Sequence, residues 1–254
     1  MQISNQVEIY RRMAIVNSLR YLLVKYPTVK ALYSKIISEY YLESEKGFSY
    51  HQFIRYLKGQ SRIPETNENI ITRFLYNEYN MVLDLIDSKI MLNLKTAPIQ
   101  IDISDLYSSP SNLNLIAYHV INHDLTGSFD AILTHTEAIP MAISFSQLLA
   151  VPWYSVSFRR PSVNKDQIIQ YPYLLDQQIV ETVYFHKLSA IKNKRVLIIS
   201  DYIRRGGLLD ILFNLVDSEG NSTIGFLIAI LGIGNEWKKY SMELEGNIRV
   251  LKLV

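Results

Sequence analysis

Short apolar runs of strand length alternate with segments of helical period through residues 129–254. This pattern limits the fold more than any other feature of the chain. FDAILTH, VPWYSVSF, VETVYFH, RVLIISD, STIGFLIAIL and NIRVLKLV read as strands, and AIPMAISFSQLLA and GLLDILFNLVDSEG read as helices between them. Strands that alternate with helices predict an α/β fold, a mostly parallel sheet with both faces covered. Val196–Ile199 is apolar without alternation, as a strand buried on both sides requires. The polar, proline-containing stretch 160–178 is expected as a hood.

The front of the chain carries helical signals only. Val7, Met13, Val16, Leu19 and Leu23 recur near a 3.6-residue period. Pro27 breaks that helix and Thr28 caps the next, VKALYSKIISEYYL. Ser49 caps a short helix, YHQFIRYLKG. Its Phe53, Ile54 and Leu57 are expected to face inward, and Tyr50, His51, Gln52, Arg55, Tyr56 and Lys58 outward. PETNENIITRFL opens a helix running to about Met91, and another helix is expected from Leu113 to Leu125. The predicted division is an all-helical head, 1–92, and an α/β body, 93–254.

Composition removes several chemistries. The chain has no cysteine, so disulfides and thiolate zinc sites are excluded. His135 and His186 lack a third ligand at metal-site spacing, and no metal site is expected. GFLIAILGIG, the longest apolar stretch, is too short to span a bilayer, and MQISNQVEIYRR lacks the apolar core of a signal peptide. A cytoplasmic protein with no membrane partner is the expectation. Residues 1–80 hold 11 Lys or Arg against 7 Asp or Glu, a basic excess that suits a polyanion.

The chemistry-bearing stretch is IISDYIRRGGLLDIL. Ser200 and Asp201 stand at the carboxyl end of the most apolar strand, where ligands of open α/β sheets sit. Arg204, Arg205, Gly206, Gly207 and Leu208 then lead into a helix. Backbone amides at such a turn form an anion nest, and the two guanidinium groups add charge. Asp201 is placed to hold ribose hydroxyls or a metal-bound water. A plain strand-to-helix turn with solvated arginines is the alternative.

RVLIISDYIRRGGLLDILFNLVDSEG resembles the signature of type I phosphoribosyltransferases. FDAILTHTEAIPMAISFSQLLAVPWYSVSFRR and YPYLLDQQIVETVYFHKLSAIKNKRVLIISD resemble flanking segments of the adenine phosphoribosyltransferases. The resemblance implies a phosphoribosyltransferase-type sheet. It implies an acidic pair that meets the ribose hydroxyls of phosphoribosyl pyrophosphate, and a turn at 204–208 that grips the 5′-phosphate. It puts Thr136 and Glu137 in the pyrophosphate loop and Arg159 among the phosphate ligands. The only cofactor it implies is magnesium carried with phosphoribosyl pyrophosphate.

The sequence departs from that pattern at Ser200, which replaces the first acidic residue, and at Arg204, Arg205 and Leu208; the 134–140 loop also lacks glycine. Loss of a carboxylate that acts mainly in the transition state costs on the order of 3 kcal/mol, about 10²-fold in rate. Binding is therefore expected to survive while turnover fades, making the body a sensor rather than a working transferase.

SYHQFIRYLKGQSRIPETNENIITRFL resembles the recognition-helix end of repressor-type helix-turn-helix domains. That resemblance implies double-stranded DNA as partner and a homodimer on paired half-sites. Gln52 would read adenine and Arg55 guanine or phosphate, with Ser49, Tyr50 and His51 beside them. Lys46, Lys58 and Arg62 would contact phosphates. The combined expectation is a ligand-responsive transcriptional regulator sensing a nucleotide, nucleobase or phosphoribosyl pyrophosphate. Its rivals are an active purine phosphoribosyltransferase, with aromatics near Trp153–Phe158 or Tyr171–Tyr173 stacking the base, and a non-catalytic scaffold.

Overall fold

The computed structural model describes residues 2–40, 48–93, 103–125, 127–160, 168–176, 179–186, 191–203, 208–218 and 222–253. The chain forms two compact units, Met1–Asp124 and Leu125–Val254. The sequence reading puts the division at 92/93. The helix Pro110–His123 (α6) moves it, because α6 packs on the helices Gln2–Leu22 (α1) and Glu65–Asn93 (α4).

In the helical unit, α1 and α4 are joined through the helices Val29–Tyr40 (α2) and Tyr50–Leu57 (α3). The four-residue helix Ser104–Tyr107 (α5) precedes α6. Ile15, Leu19, Leu32, Ile36, Phe53, Ile71, Phe74 and Leu75 are fully buried. One buried carboxylate, Glu78, accepts from Lys25 Nζ at 2.5 Å and from the Tyr26 hydroxyl at 2.8 Å. These bonds tie the end of α1 to α4. No helix among the described residues is long and apolar enough to cross a membrane.

The sheet unit contains a five-stranded parallel sheet in the order β2-β1-β5-β6-β7. Its strands are Ala131–His135 (β1), Trp153–Val156 (β2), Arg195–Ile203 (β5), Thr223–Gly232 (β6) and Ile248–Leu253 (β7). The helix Ile139–Leu149 (α7) returns the chain from β1 to β2. Leu208–Asp217 (α8) and Trp237–Glu243 (α9) serve β5–β6 and β6–β7. The chain moves outward from β1 to β2, then returns to lay β5 on the other side of β1. The direction reverses between β1 and β5, and the carboxyl ends of such a pair frame a natural crevice.

The polar stretch expected as a hood contains a strand, Ile168–Asp176 (β3), paired antiparallel with Ile179–His186 (β4). Pro172 is tolerated because, among the described residues, β3 has a partner on one side only. The hairpin is stitched beyond the end of β2 by two backbone bonds between Ser157 and Tyr184, at 2.9 and 2.7 Å.

The β5–β6 register jumps from Val196↔Ile224 to Leu197↔Phe226, leaving Gly225 as the extra residue of a bulge. A Cβ there would lie 2.6 Å from Arg195 Nε and 2.9 Å from the Phe129 ring. The Arg195 guanidinium is held over that ring, 4.8 Å from its centre, and donates to the Ser128 carbonyl at 2.9 Å. Gly225→Ala is therefore expected to cost about 1–2 kcal/mol through forced repacking, measured by urea unfolding of wild type and variant.

Candidate functional site

The reversal point between β1 and β5 gathers the polar residues of the sheet unit. The register pairs Thr134 with Ile199, so the next residues, His135 at the end of β1 and Ser200 three residues before the end of β5, face each other. The Thr134 hydroxyl donates to the Ile199 carbonyl at 2.8 Å and locks this register. A single 3-10 turn, Thr136–Ala138, follows β1; the Thr136 hydroxyl donates to the Val156 carbonyl at 3.1 Å, anchoring the turn to β2.

His135 is the centre of the arrangement. Its Nε2 lies 3.0 Å from both Ser200 Oγ and Asp201 Oδ1, and its Nδ1 lies 2.8 Å from Glu137 Oε2. The imidazole is 4% exposed and Asp201 9%, whereas Glu137 is 49% exposed. The protonation state follows from donor counting. Ser200 Oγ spends its one proton on the Tyr202 carbonyl at 2.9 Å, so it accepts from His135. Asp201 Oδ1 also takes the Tyr202 amide at 2.7 Å, and an ionised carboxylate only accepts. Nε2 must then carry a hydrogen, and Nδ1 must carry another toward Glu137. His135 is an imidazolium. Burial alone would pull its pKa down. Hydrogen bonds to Asp201 and Glu137, with the charges on both, outweigh burial and raise it from 6.5 to about 9.

The structure therefore brings together Ser200, Asp201, Thr136 and Glu137, four of the residues singled out in the sequence. Leu208, half-buried, begins α8, and Arg159 is exposed just beyond β2 with its backbone N–H on Ser157 Oγ. Arg204, Arg205, Gly206 and Gly207 lie outside the described residues, as does Lys46. His135 is the residue that sequence reasoning missed. The available signal was a histidine ending an apolar strand, two residues before a glutamate.

In the helical unit, Ser49 caps α3 in a reciprocal capping box: its Oγ accepts from the Gln52 amide, and the Gln52 side chain accepts from the Ser49 amide at 2.8 Å. The Gln52 carboxamide oxygen expected to read a base is occupied by its own helix terminus. Tyr56, expected outward, is buried with its hydroxyl accepting from Asn67 at 2.9 Å. Tyr50 is half-buried against Tyr33, with ring centres 5.5 Å apart. His51, Arg55, Lys58 and Arg62 are exposed.

No family model matches the chain, and no curated protein matches it. Solved structures do. The adenine phosphoribosyltransferase of Thermoanaerobacter pseudethanolicus matches with a TM-score of 0.54 at 19% identity, over 68% of this chain and 99% of that one. The Saccharomyces cerevisiae enzyme, solved with an imino-altritol bisphosphate and adenine, gives 0.53 at 12% identity over 68% and 99%. The Rhodothermus marinus enzyme gives 0.51 at 16% identity over 69% and 99%. Most of the chain thus has a phosphoribosyltransferase-type fold, a mostly parallel sheet with N-terminal helices.

These matches correct the expectation of a DNA-binding regulator. All three proteins are adenine phosphoribosyltransferases, and their likeness covers more of this chain than the sheet unit supplies. It therefore extends beyond the sheet unit. Double-stranded DNA as partner, with the base and phosphate contacts assigned to residues 46–62, and a sensor in place of an enzyme, are set aside on the same finding.

Proposed function

We propose that the chain is a phosphoribosyltransferase that joins a purine base, adenine foremost, to the ribose 5-phosphate of phosphoribosyl pyrophosphate. The observation that carries this reading is the buried Asp201 carboxylate at the β1–β5 reversal point, held by His135 Nε2 and the Tyr202 amide. It is a fixed negative charge where an open α/β sheet receives its ligand. The fold shared with three adenine phosphoribosyltransferases supports the same reading.

In the reaction the bond from ribose C1 to the diphosphate oxygen breaks, and the diphosphate leaves with the electron pair. A ring nitrogen of the base forms the new bond to C1 and gives up its proton. Positive charge builds on the ribose as the leaving group departs. A carboxylate already fixed beside the hydroxyls stabilises that charge without reorganising. Asp201 performs this role, and Ser200 leaves it without a second acidic neighbour. The half-buried rings of Phe158 and Tyr171, packed on the core next to the hairpin, offer faces for the base.

Magnesium would enter with the diphosphate. A hard cation of this kind takes one or two carboxylates plus substrate phosphate oxygens, and the exposed carboxylate of Glu137 would suit one such place. When bound, it would neutralise charge on the leaving diphosphate.

The test is release of diphosphate from phosphoribosyl pyrophosphate with adenine, hypoxanthine or guanine supplied in turn. Base-dependent release at a rate near 1 s⁻¹ or above, within the ordinary range of enzymes, is expected. No release with any of the three bases sinks the reading.

A further inference from the structure

The helical unit holds a cavity of about 470 Å³ to which the proposed transfer gives no role. It lies between α1 and the turn that joins α3 to α4, and its size suits a small organic molecule. Three arginines line it, Arg12, Arg20 and Arg62, and among the described residues no acidic one does. Met13, Val16 and Ile63 supply apolar surface. A wall that is cationic and apolar, without a carboxylate, repels cations and favours an anion with an apolar body. Two of the arginines are set in place by the fold. Arg20 Nε donates at 2.7 Å to the Leu57 carbonyl, one of those that the end of α3 leaves open. Its two terminal nitrogens have no acceptor among the described residues, so a fork fixed along one edge keeps donors for a ligand. The turn that bears Arg62 is closed by Gly59, at φ 68°, whose amide donates to the Tyr56 carbonyl at 2.9 Å, and by the Gln60 amide on the Arg55 carbonyl at 2.9 Å. Ile63, 4% exposed, anchors the other side of that turn. Arg62 itself is exposed and forms no ion pair among the described residues.

We propose that this cavity binds a phosphate monoester with a planar, apolar body. Arg20 and Arg62 grip the phosphate, and the body lies on Met13, Val16 and Ile63. The site goes beyond the transferase reading and does not depend on it. Each guanidinium can give two parallel N–H···O bonds to one edge of the phosphate. A phosphate dianion matches two such forks better than a carboxylate with its single charge. The body is planar because the faces available to it, a thioether and guanidinium planes, stack on flat rings better than on a bare sugar. The carboxamides of Asn17 and Gln60, also in the wall, can meet the polar edge of such a ring. Arg12 is engaged elsewhere in the protein and contributes its charge to the wall.

The experiment follows the methionine methyl resonances of the full chain, labelled with carbon-13, during titration with adenosine monophosphate and, separately, phenyl phosphate. Met13 lies in the cavity wall and Met141 is buried in α7 of the sheet unit, so the two signals report different units. Both esters are expected to shift the Met13 signal with a Kd of about 1 mM or tighter. A shift with adenosine monophosphate alone also supports the proposal and narrows the body to a nucleoside. Adenosine and inorganic phosphate each carry half of the required chemistry and should bind at least about ten-fold more weakly. Arg62→Gln is expected to weaken adenosine monophosphate at Met13 by about ten-fold, and Arg62→Lys, which keeps the charge without the fork, by about three-fold. Lys58→Gln removes an equal charge from an exposed residue outside the wall and should leave the Kd within about two-fold. Circular dichroism checks the fold of each variant. A Met13 signal unmoved by either ester at about 10 mM overturns the proposal. So does equal weakening in Arg62→Gln and Lys58→Gln, or inorganic phosphate that binds as tightly as the esters. Transfer activity separates the two readings. Turnover without a Met13 shift leaves the transferase standing and removes this site, whereas a Met13 shift without turnover does the reverse.

Discussion

Asp201→Asn is expected to lower phosphoribosyl transfer by about 10²-fold or more, with little loss of folding. The substitution is close to isosteric, and the Asn carbonyl oxygen can still accept from His135 Nε2 and the Tyr202 amide, the two bonds that hold Oδ1 in the wild type. What disappears is the charge. Positive charge that develops on the ribose in the transition state then loses its buried counter-charge, and the loss falls mainly on kcat. The imidazolium of His135 also loses its buried counter-charge, with Glu137 the carboxylate that remains among the described residues, so its pKa should fall toward the ordinary histidine value. Diphosphate release at saturating substrate, with circular dichroism as the folding control, measures the effect. A rate within a few-fold of wild type would show that Asp201 takes no part in the chemistry.

The sheet was legible in the sequence because its signals are local. Buried parallel strands such as Val196–Ile199 and Phe226–Leu231 are apolar without interruption, and the helices between them are amphipathic. β3 was harder. Gln170, Pro172 and Asp176 read as a polar segment, and its pairing with β4 is a tertiary fact. The short helix α9 carried too little periodic signal to be read at all.

The site was half legible for a related reason. Ser200, Asp201 and Glu137 follow from strand ends and the resemblance, but the role of His135 depends on a register that sets it against residues 65 positions away. The helical unit shows the opposite failure. The cap at Ser49 was read correctly, yet the same cap consumes the Gln52 side chain that had been expected to reach outward. Outward position on a helical wheel says nothing about whether a polar group is already engaged.

The largest pH effect on stability should come from the same histidine, and its sign is fixed by the direction of the shift. The folded pKa of about 9 lies above the unfolded value of 6.5. Below pH 6.5 both states are protonated, and the ion pairs with Asp201 and Glu137 contribute fully. Between 6.5 and 9 the folded state holds a proton that the unfolded state has released, so stability falls as pH rises. Above about 9 the folded ring also deprotonates and the contribution is gone. The gap corresponds to roughly 3 kcal/mol across that window. Lys239, Tyr26 and Tyr240 are also raised, each from a value of 10 or higher, so their windows lie above this one. Trp153 and Trp237, the two tryptophans of the chain, both lie in the sheet unit, so their fluorescence reports the unit that contains His135. Urea midpoints at pH 6, 7, 8 and 9 should decline steadily in the wild type and stay nearly level in His135→Gln. A wild-type midpoint that holds or rises from pH 6 to 9 would mean that His135 is neutral in the folded protein. The donor count that places a proton on each ring nitrogen would then be wrong.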